Sequence, residues 1–180
     1  GIIQMVSSGG DTFASLVLES GSVTNSDTGT SRVLTMTGSI EVQSGQIAGN
    51  TTRNMTLAGT AGLTKTTPGT VIIGPVVANT YSGPTAINEG TVVIAATGAI
   101  PSGSGKGNVT VDATLDLNGT SISLNGLNGA STGIISNSAV TSATLTVGNN
   151  SASGTYAGTI TDGNGTVALT KTGSGSLTLD

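Results

Sequence analysis

The chain has 180 residues, 29 of them glycine and only 8% charged, with one Phe, two Tyr and no Trp, Cys or His. Without Cys or His it has no disulfides, no thiol nucleophile and none of the usual zinc ligand sets, and with so few aromatics it cannot fill a wide interior. Its net charge of −4 comes from nine acids and five bases, and the bases Arg32, Arg53, Lys65, Lys106 and Lys171 are scattered singly, so there is no electrostatic footprint for nucleic acid.

The apolar residues, 35% of the chain, are mostly Val, Ile, Leu and Ala set among Thr, Ser and Asn, a mixture that suits a pleated surface better than disorder. Taken in chain order, they alternate with polar residues over short runs. Leu16 and Leu18, Leu34 and Met36, Ile40 and Val42, and Met55 and Leu57 do so in the N-terminal third. From there the alternation is more regular, through Val109 and Val111, Leu115 and Leu117, Ile122 and Leu124, Leu145 and Val147, to Leu177 and Leu179. A period of two predicts strands with one buried face, and no window predicts a helix. The longest apolar runs, such as Val92 to Ala96, fall far short of the ~20 residues a spanning helix needs. Asn118-Gly119, Asn125-Gly126, Asn128-Gly129 and Asn164-Gly165 interrupt the runs, where positive φ is easily adopted.

The chain also repeats itself. Gly69-Thr-Val-Ile-Ile73 aligns with Gly90-Thr-Val-Val-Ile94, a shift of 21 from residue 69 to residue 90, and Gly-Thr-Val returns at Gly165. Thr80 to Gly98 matches Thr155 to Gly173 without gaps at a shift of 75, and Leu63-Thr-Lys-Thr66 recurs as Leu169-Thr-Lys-Thr172. Asn-Gly between alternating runs is also a hairpin signal, which leaves an antiparallel sandwich as the alternative. A repeat of about 20 residues favours coils that stack on their neighbours. The expected fold is therefore all-β, a parallel β-solenoid of roughly 20-residue rungs, eight or nine of them at ~4.8 Å per rung, making a rod about 40 Å long.

The string Gly62-Leu-Thr-Lys-Thr66, Gly69-Thr-Val-Ile-Ile73, Asn79-Thr-Tyr-Ser-Gly-Pro-Thr-Ala-Ile-Asn88, Gly90-Thr-Val-Val93 resembles the autotransporter-associated β-strand repeat, also called the passenger-associated transport repeat. A second copy opens at Thr155-Tyr-Ala-Gly158 and runs through Leu169-Thr-Lys-Thr-Gly173 to Leu179, with Val109 to Gly119 and Ser121 to Leu127 resembling the family's connecting rungs. The resemblance covers residues 59–180. Residues 1–58 match poorly and are expected to form irregular N-terminal rungs, and Thr67-Pro68 departs from the Gly-x-Gly turn kept at Gly173-Ser-Gly175. The resemblance implies a right-handed parallel β-helix from a large bacterial surface or secreted protein, commonly a passenger exported through an outer-membrane barrel, and it brings no catalytic residues. Gly1 opens without a signal peptide and the repeat runs to Asp180, so a longer parent protein is expected.

Three groups of residues invite chemistry. Asp112 and Asp116 are the nearest to an acid pair, with Asn118 expected on the same strand face as Asp116. Glycoside chemistry needs two carboxylates about 5 to 10 Å apart in a sugar-holding cleft, and Lys106 is the lone base nearby, so the pair reads better as solvent-facing residues that keep a rod soluble. Asp162-Gly-Asn-Gly-Thr166 looks loop-like, but a calcium loop would need Glu at its twelfth position, where Gly173 stands; a tight turn is expected. Tyr81 and Tyr156 occupy matching places in the two copies and are expected to pack at a corner rather than stack on sugars. The glycosylation sequons at Asn50, Asn54 and Asn108 are what this composition produces unaided.

No catalytic, cofactor-binding or metal-binding residue is assigned, and no cofactor is expected. The expected function is a structural stalk or passenger segment, extracellular or on the bacterial outer surface, acting as spacer and adhesin. Its partners would be further rungs or copies joined end to end, and a surface glycan or receptor. The alternatives are a self-assembling filament or sheath subunit and a β-helical enzyme acting on polysaccharide.

Overall fold

The computed structural model describes residues 2–5, 11–25, 32–48, 55–75 and 77–180. Every strand pair among them is parallel, and the strands stack as a β-solenoid of about 7 turns with ~23 residues per turn. The sandwich alternative is thereby excluded. Rungs are longer and fewer than a 20-residue period suggests, because corner segments vary. One turn takes 20 residues from Ile2 to its partner Ser22, but 26 from Gly45 to Val71.

The first face is an eight-stranded sheet of Ile2–Met5, Ser22–Asn25, Gly45–Ala48, Thr70–Gly74, Thr91–Ile94, Thr114–Asp116, Ile134–Ser136 and Thr159–Ile160. It passes without interruption across residue 58, where the sequence pattern changes. The second face stacks Leu16–Leu18, Ile40–Val42, Leu63–Lys65, Thr85–Ile87, Val109–Val111 and Leu127–Asn128. A bridge from Gly129 to Tyr156 carries it on to Gly154–Tyr156 and Leu177–Leu179.

Alternation decides which side chains face inward. On the first face Val71, Val92, Leu115, Ile135 and Ile160 form one internal column, while Thr70, Thr91, Thr114, Ile134 and Thr159 form the external column beside it. Internal residues such as Val71, Val92, Leu115 and Ile135 are fully buried. Each such side chain stabilises the fold by roughly 1.5–3 kcal/mol through the apolar surface it removes from water. A narrow interior filled by aliphatics agrees with a composition almost free of aromatic rings. One internal column on the second face is unusual, since Lys65 stands between Val42 and Ile87 with no exposed surface. Its Nζ donates to the Thr67 carbonyl at the next corner, and burial holds its pKa below the usual lysine value, an effect partly offset by Glu89.

The long sequence matches are not the structural period. Three turns carry Thr91 to Thr159, 68 residues on, so a shift of 75 overshoots and moves a motif round the corner. Val92 lies on the first face but its sequence counterpart Val167 lies on a third face, where the strand Val167–Lys171 pairs with Ala143–Val147. Likewise Leu63 is on the second face and Leu169 on the third. A short apolar-polar alternation fits any face of a solenoid, which is why the same string serves two of them.

Candidate functional site

The third face is the discontinuous one. Its N-terminal sheet contains Asp11–Phe13, Arg32–Met36 and Met55–Gly59, and its C-terminal sheet contains Ile122–Leu124, Ala143–Val147 and Val167–Lys171. Between them lie two rungs in which neither 77–84 nor 95–108 forms a strand. There Ala99 and Ile100 are buried and close the core in place of a strand, while Gly98, Gly103 and Gly105 adopt positive φ and let the chain double back.

Two buried asparagines fix this irregular segment. Asn79 Oδ1 accepts from the Leu57 N–H at 2.9 Å, and its Nδ2 donates to the Ala99 carbonyl at 2.9 Å. Asn125 Oδ1 accepts from the Gly103 N–H at 2.8 Å, and its Nδ2 donates to the Gly103 and Lys106 carbonyls at 3.0 and 2.8 Å. Side-chain amides can thus replace the missing ladder, offering donor and acceptor together where backbone cannot. Asn137 does the same one corner further on, accepting from the Gly119 N–H at 2.7 Å and donating to the Thr141 carbonyl at 2.7 Å. None of the three stands out in the sequence, because Asn reads first as a turn residue. The available signal is an Asn followed by Gly, Ser or Thr where an alternating run stops short.

The break leaves a groove of about 390 Å3 across three successive rungs, lined among others by Asn79, Thr97, Pro101, Ser102, Lys106 and Ser123. That volume falls within the range of small-ligand clefts. Its floor includes the apolar Ile100 and Ile122, and its rim carries hydroxyls. Ser102 Oγ accepts from Asn149 Nδ2 at 3.1 Å and Ser121 Oγ accepts from the Thr144 N–H at 2.9 Å, which leaves both O–H donors unspent. Lys106 is the groove's cation, and its Nζ donates to the Thr80 carbonyl.

The structure does not bring Asp112 and Asp116 together. They stand at opposite ends of the strand Thr114–Asp116, Asp112 at the preceding corner. Nor are both the solvent-facing residues expected. Asp116 is only 9% exposed, and its Oδ1 accepts from the Asn118 and Ser138 N–H groups, both at 2.9 Å. Asp112 Oδ1 accepts from the Ala130 N–H at 2.7 Å. Both carboxylates are engaged in joining rungs, because a corner exposes backbone donors that the next turn cannot reach. Asn118, at φ 44, reaches back to the Ile94 carbonyl.

The segment from Asp162 forms a tight turn, with Asp162 Oδ1 accepting from the Val167 N–H at 2.8 Å. Among the described residues no group of three or more His, Cys, Asp or Glu is placed to hold a metal ion. Tyr81 and Tyr156 are both buried packing residues, but not at matching places. Tyr81 precedes a second-face strand and its hydroxyl pairs with Thr85 Oγ1 at 2.8 Å, whereas Tyr156 lies within such a strand. Burial pushes the Tyr81 phenol well above its ordinary pKa, and burial together with the Asp112 charge pushes Tyr156 up to about 12. Of the sequon asparagines, Asn108 Oδ1 accepts from the Gly126 N–H at 3.0 Å, while Asn50 and Asn54 lie outside the described residues.

Only one of the four Asn-Gly pairs behaves as a positive-φ turn, Asn118-Gly119. At Gly126, Gly129 and Gly165 a Cβ would stand 2.3, 2.2 and 2.5 Å from a carbonyl oxygen of an adjoining rung. Glycine is required there by the closeness of stacked backbones. No family model, curated protein or solved structure matches the chain.

Proposed function

We propose that this chain is a rigid spacer, a stalk or passenger segment of a bacterial surface or secreted protein. One observation carries the reading: the first face is a single uninterrupted parallel sheet from Ile2–Met5 to Thr159–Ile160. At ~4.8 Å per rung its seven steps span roughly 35 Å. A sheet continuous along the axis and backed by aliphatic columns resists bending, since each rung is bonded to the next on more than one face. Asp112 and Asp116 each accept a backbone N–H from the following rung, which supports a structural role for them. The resemblance of residues 59–180 to passenger repeats supports an extracellular or outer-surface setting. Further rungs, or a second copy joined end to end, are the partners this reading expects, since the end of any parallel stack carries unpaired backbone groups.

Antibodies raised against residues 59–180 test the reading when applied to cells of the encoding organism. Labelling of intact cells, or recovery of the protein from the medium, is expected. Reactivity that appears only after lysis would contradict it. Turnover of a polysaccharide by the purified protein, lost in Asp116→Ala while the fold survives, would favour the enzyme instead.

A further inference from the structure

The groove in the third face has a composition that a plain spacer does not need. We propose that it binds an acidic saccharide, with the sugar carboxylate at Lys106 and sugar hydroxyls at Thr97, Ser123 and the neighbouring serines.

Charge comes first. Lys106 is the one ionisable residue lining the groove, and its described partner is a neutral carbonyl rather than a carboxylate. An ammonium has three donors, so one bond to Thr80 leaves capacity for an anion. A single cation among neutral groups fits a ligand with one negative charge per recognised unit, not a polyphosphate. Hydrogen bonding narrows the class further. The hydroxyls of Thr97 and Ser123 have no partner within the described residues, and those of Ser102 and Ser121 hold unspent donors. Such groups match a ligand that is itself covered in hydroxyls. Ile100, Pro101 and Ile122, all largely buried, form the closed bottom of the groove, so recognition falls to the polar groups around them.

Shape is the independent argument. The groove touches Ala78, then Thr97 to Ser102, then Ser121 to Ser123, three rungs in succession, and so runs along the axis for roughly 10 Å, two rung spacings. A single rung spacing, about 4.8 Å, is close to the advance of one pyranose in an extended chain, so the groove's length suits about two sugar units. The segment that shapes it is anchored by Asn79 and Asn125, both almost fully buried, so the site is built before any ligand arrives, which lowers the ordering cost of binding.

Calorimetric titration with a trimeric oligogalacturonate tests the proposal, with its fully methyl-esterified form and monomeric galacturonate as the other arms. Binding of the acid trimer is expected, with at least tenfold weaker affinity for the ester and for Lys106→Gln, and weakening in high salt. Lys106→Gln also loses the bond to Thr80, so Ser123→Val serves as a second variant that keeps the charge and suits a strand; it too should weaken binding several-fold at unchanged melting temperature. Lys171→Gln, away from the groove, should bind normally. Tighter binding of trimer than monomer assigns the groove to a polymer, and equal binding assigns it to a single residue; either upholds the shared chemistry. Absence of binding, equal affinity for acid and ester, or equal loss in Lys106→Gln and Lys171→Gln would overturn it.

Discussion

Val71 and Val92 lie directly opposite each other on neighbouring parallel strands, both fully buried, and the 21 residues from one to the next make a complete turn of the chain. Their contact is the unit from which the whole core is built. Val71→Ala or Val92→Ala is expected to cost about 2 kcal/mol in urea unfolding, through lost burial and the void left behind. Because the two side chains touch, the double variant should depart from the sum of the singles. Strict additivity would show that they are not neighbours.

Asn125 stands in for a missing strand. Asn125→Ala leaves the Gly103 N–H and the Gly103 and Lys106 carbonyls without their side-chain partner. Stability should fall by about 2 kcal/mol, and amide exchange should accelerate in 98–108 far more than in Thr70–Gly74 or Thr91–Ile94. Uniform acceleration across the chain would mean that the segment is not a separately held unit.

Glycines should differ sharply by position. A Cβ at Gly129 would meet the Val111 carbonyl oxygen at 2.2 Å and the Tyr156 ring at 2.8 Å, whereas at Gly105 nothing lies within 4 Å. Gly129→Ala is therefore expected to destabilise by about 3 kcal/mol. Gly105→Ala should cost only about 1 kcal/mol, the strain of its positive φ. Equal effects in thermal unfolding would contradict the stacking distances.

Alkaline pH should weaken the fold through its two tyrosines. Both phenols have raised pKa values when folded, Tyr156 about 12, so the folded state holds these protons more tightly than the unfolded chain. Their contribution is complete below the ordinary value near 10 and is lost as pH rises from there towards 12. Lys65, with its lowered value, acts oppositely, and stability should gain from its deprotonation below about 10.5. The urea midpoint of a Tyr81→Phe, Tyr156→Phe double variant should decline less steeply above pH 10 than that of the parent. An unchanged slope would place the loss elsewhere.

The architecture was legible from a few features. The 21-residue shift between Gly69 and Gly90 coincides with one turn and stacks Val71 on Val92, and the period-two pattern correctly places Val109, Val111, Leu115 and Leu117 inside. Rung count was less legible, since corners differ in length and no side-chain pattern marks them. The matches at Tyr156 and Leu169 misled because alternation alone does not say which face a strand occupies. The groove was invisible for a further reason: it arises where a strand is absent, and the residues that hold it open, Asn79 and Asn125, act through contacts about one turn away in sequence. In the sequence Lys106 is a lone base, and only the fold places it in one groove with Ser102 and Ser123.

The central claim is parallel stacking in register, and a chain with no native cysteine allows it to be tested by paired cross-linking. Parallel neighbours about 4.8 Å apart lie within disulfide reach. The pairs Thr70→Cys with Thr91→Cys and Ile72→Cys with Val93→Cys, both on the outer side of the first face, should each oxidise readily to an intramolecular disulfide. The diagonal pairs, Thr70→Cys with Val93→Cys and Ile72→Cys with Thr91→Cys, should not. Preferential linking of the diagonal pairs is the signature of antiparallel strands and would contradict the solenoid.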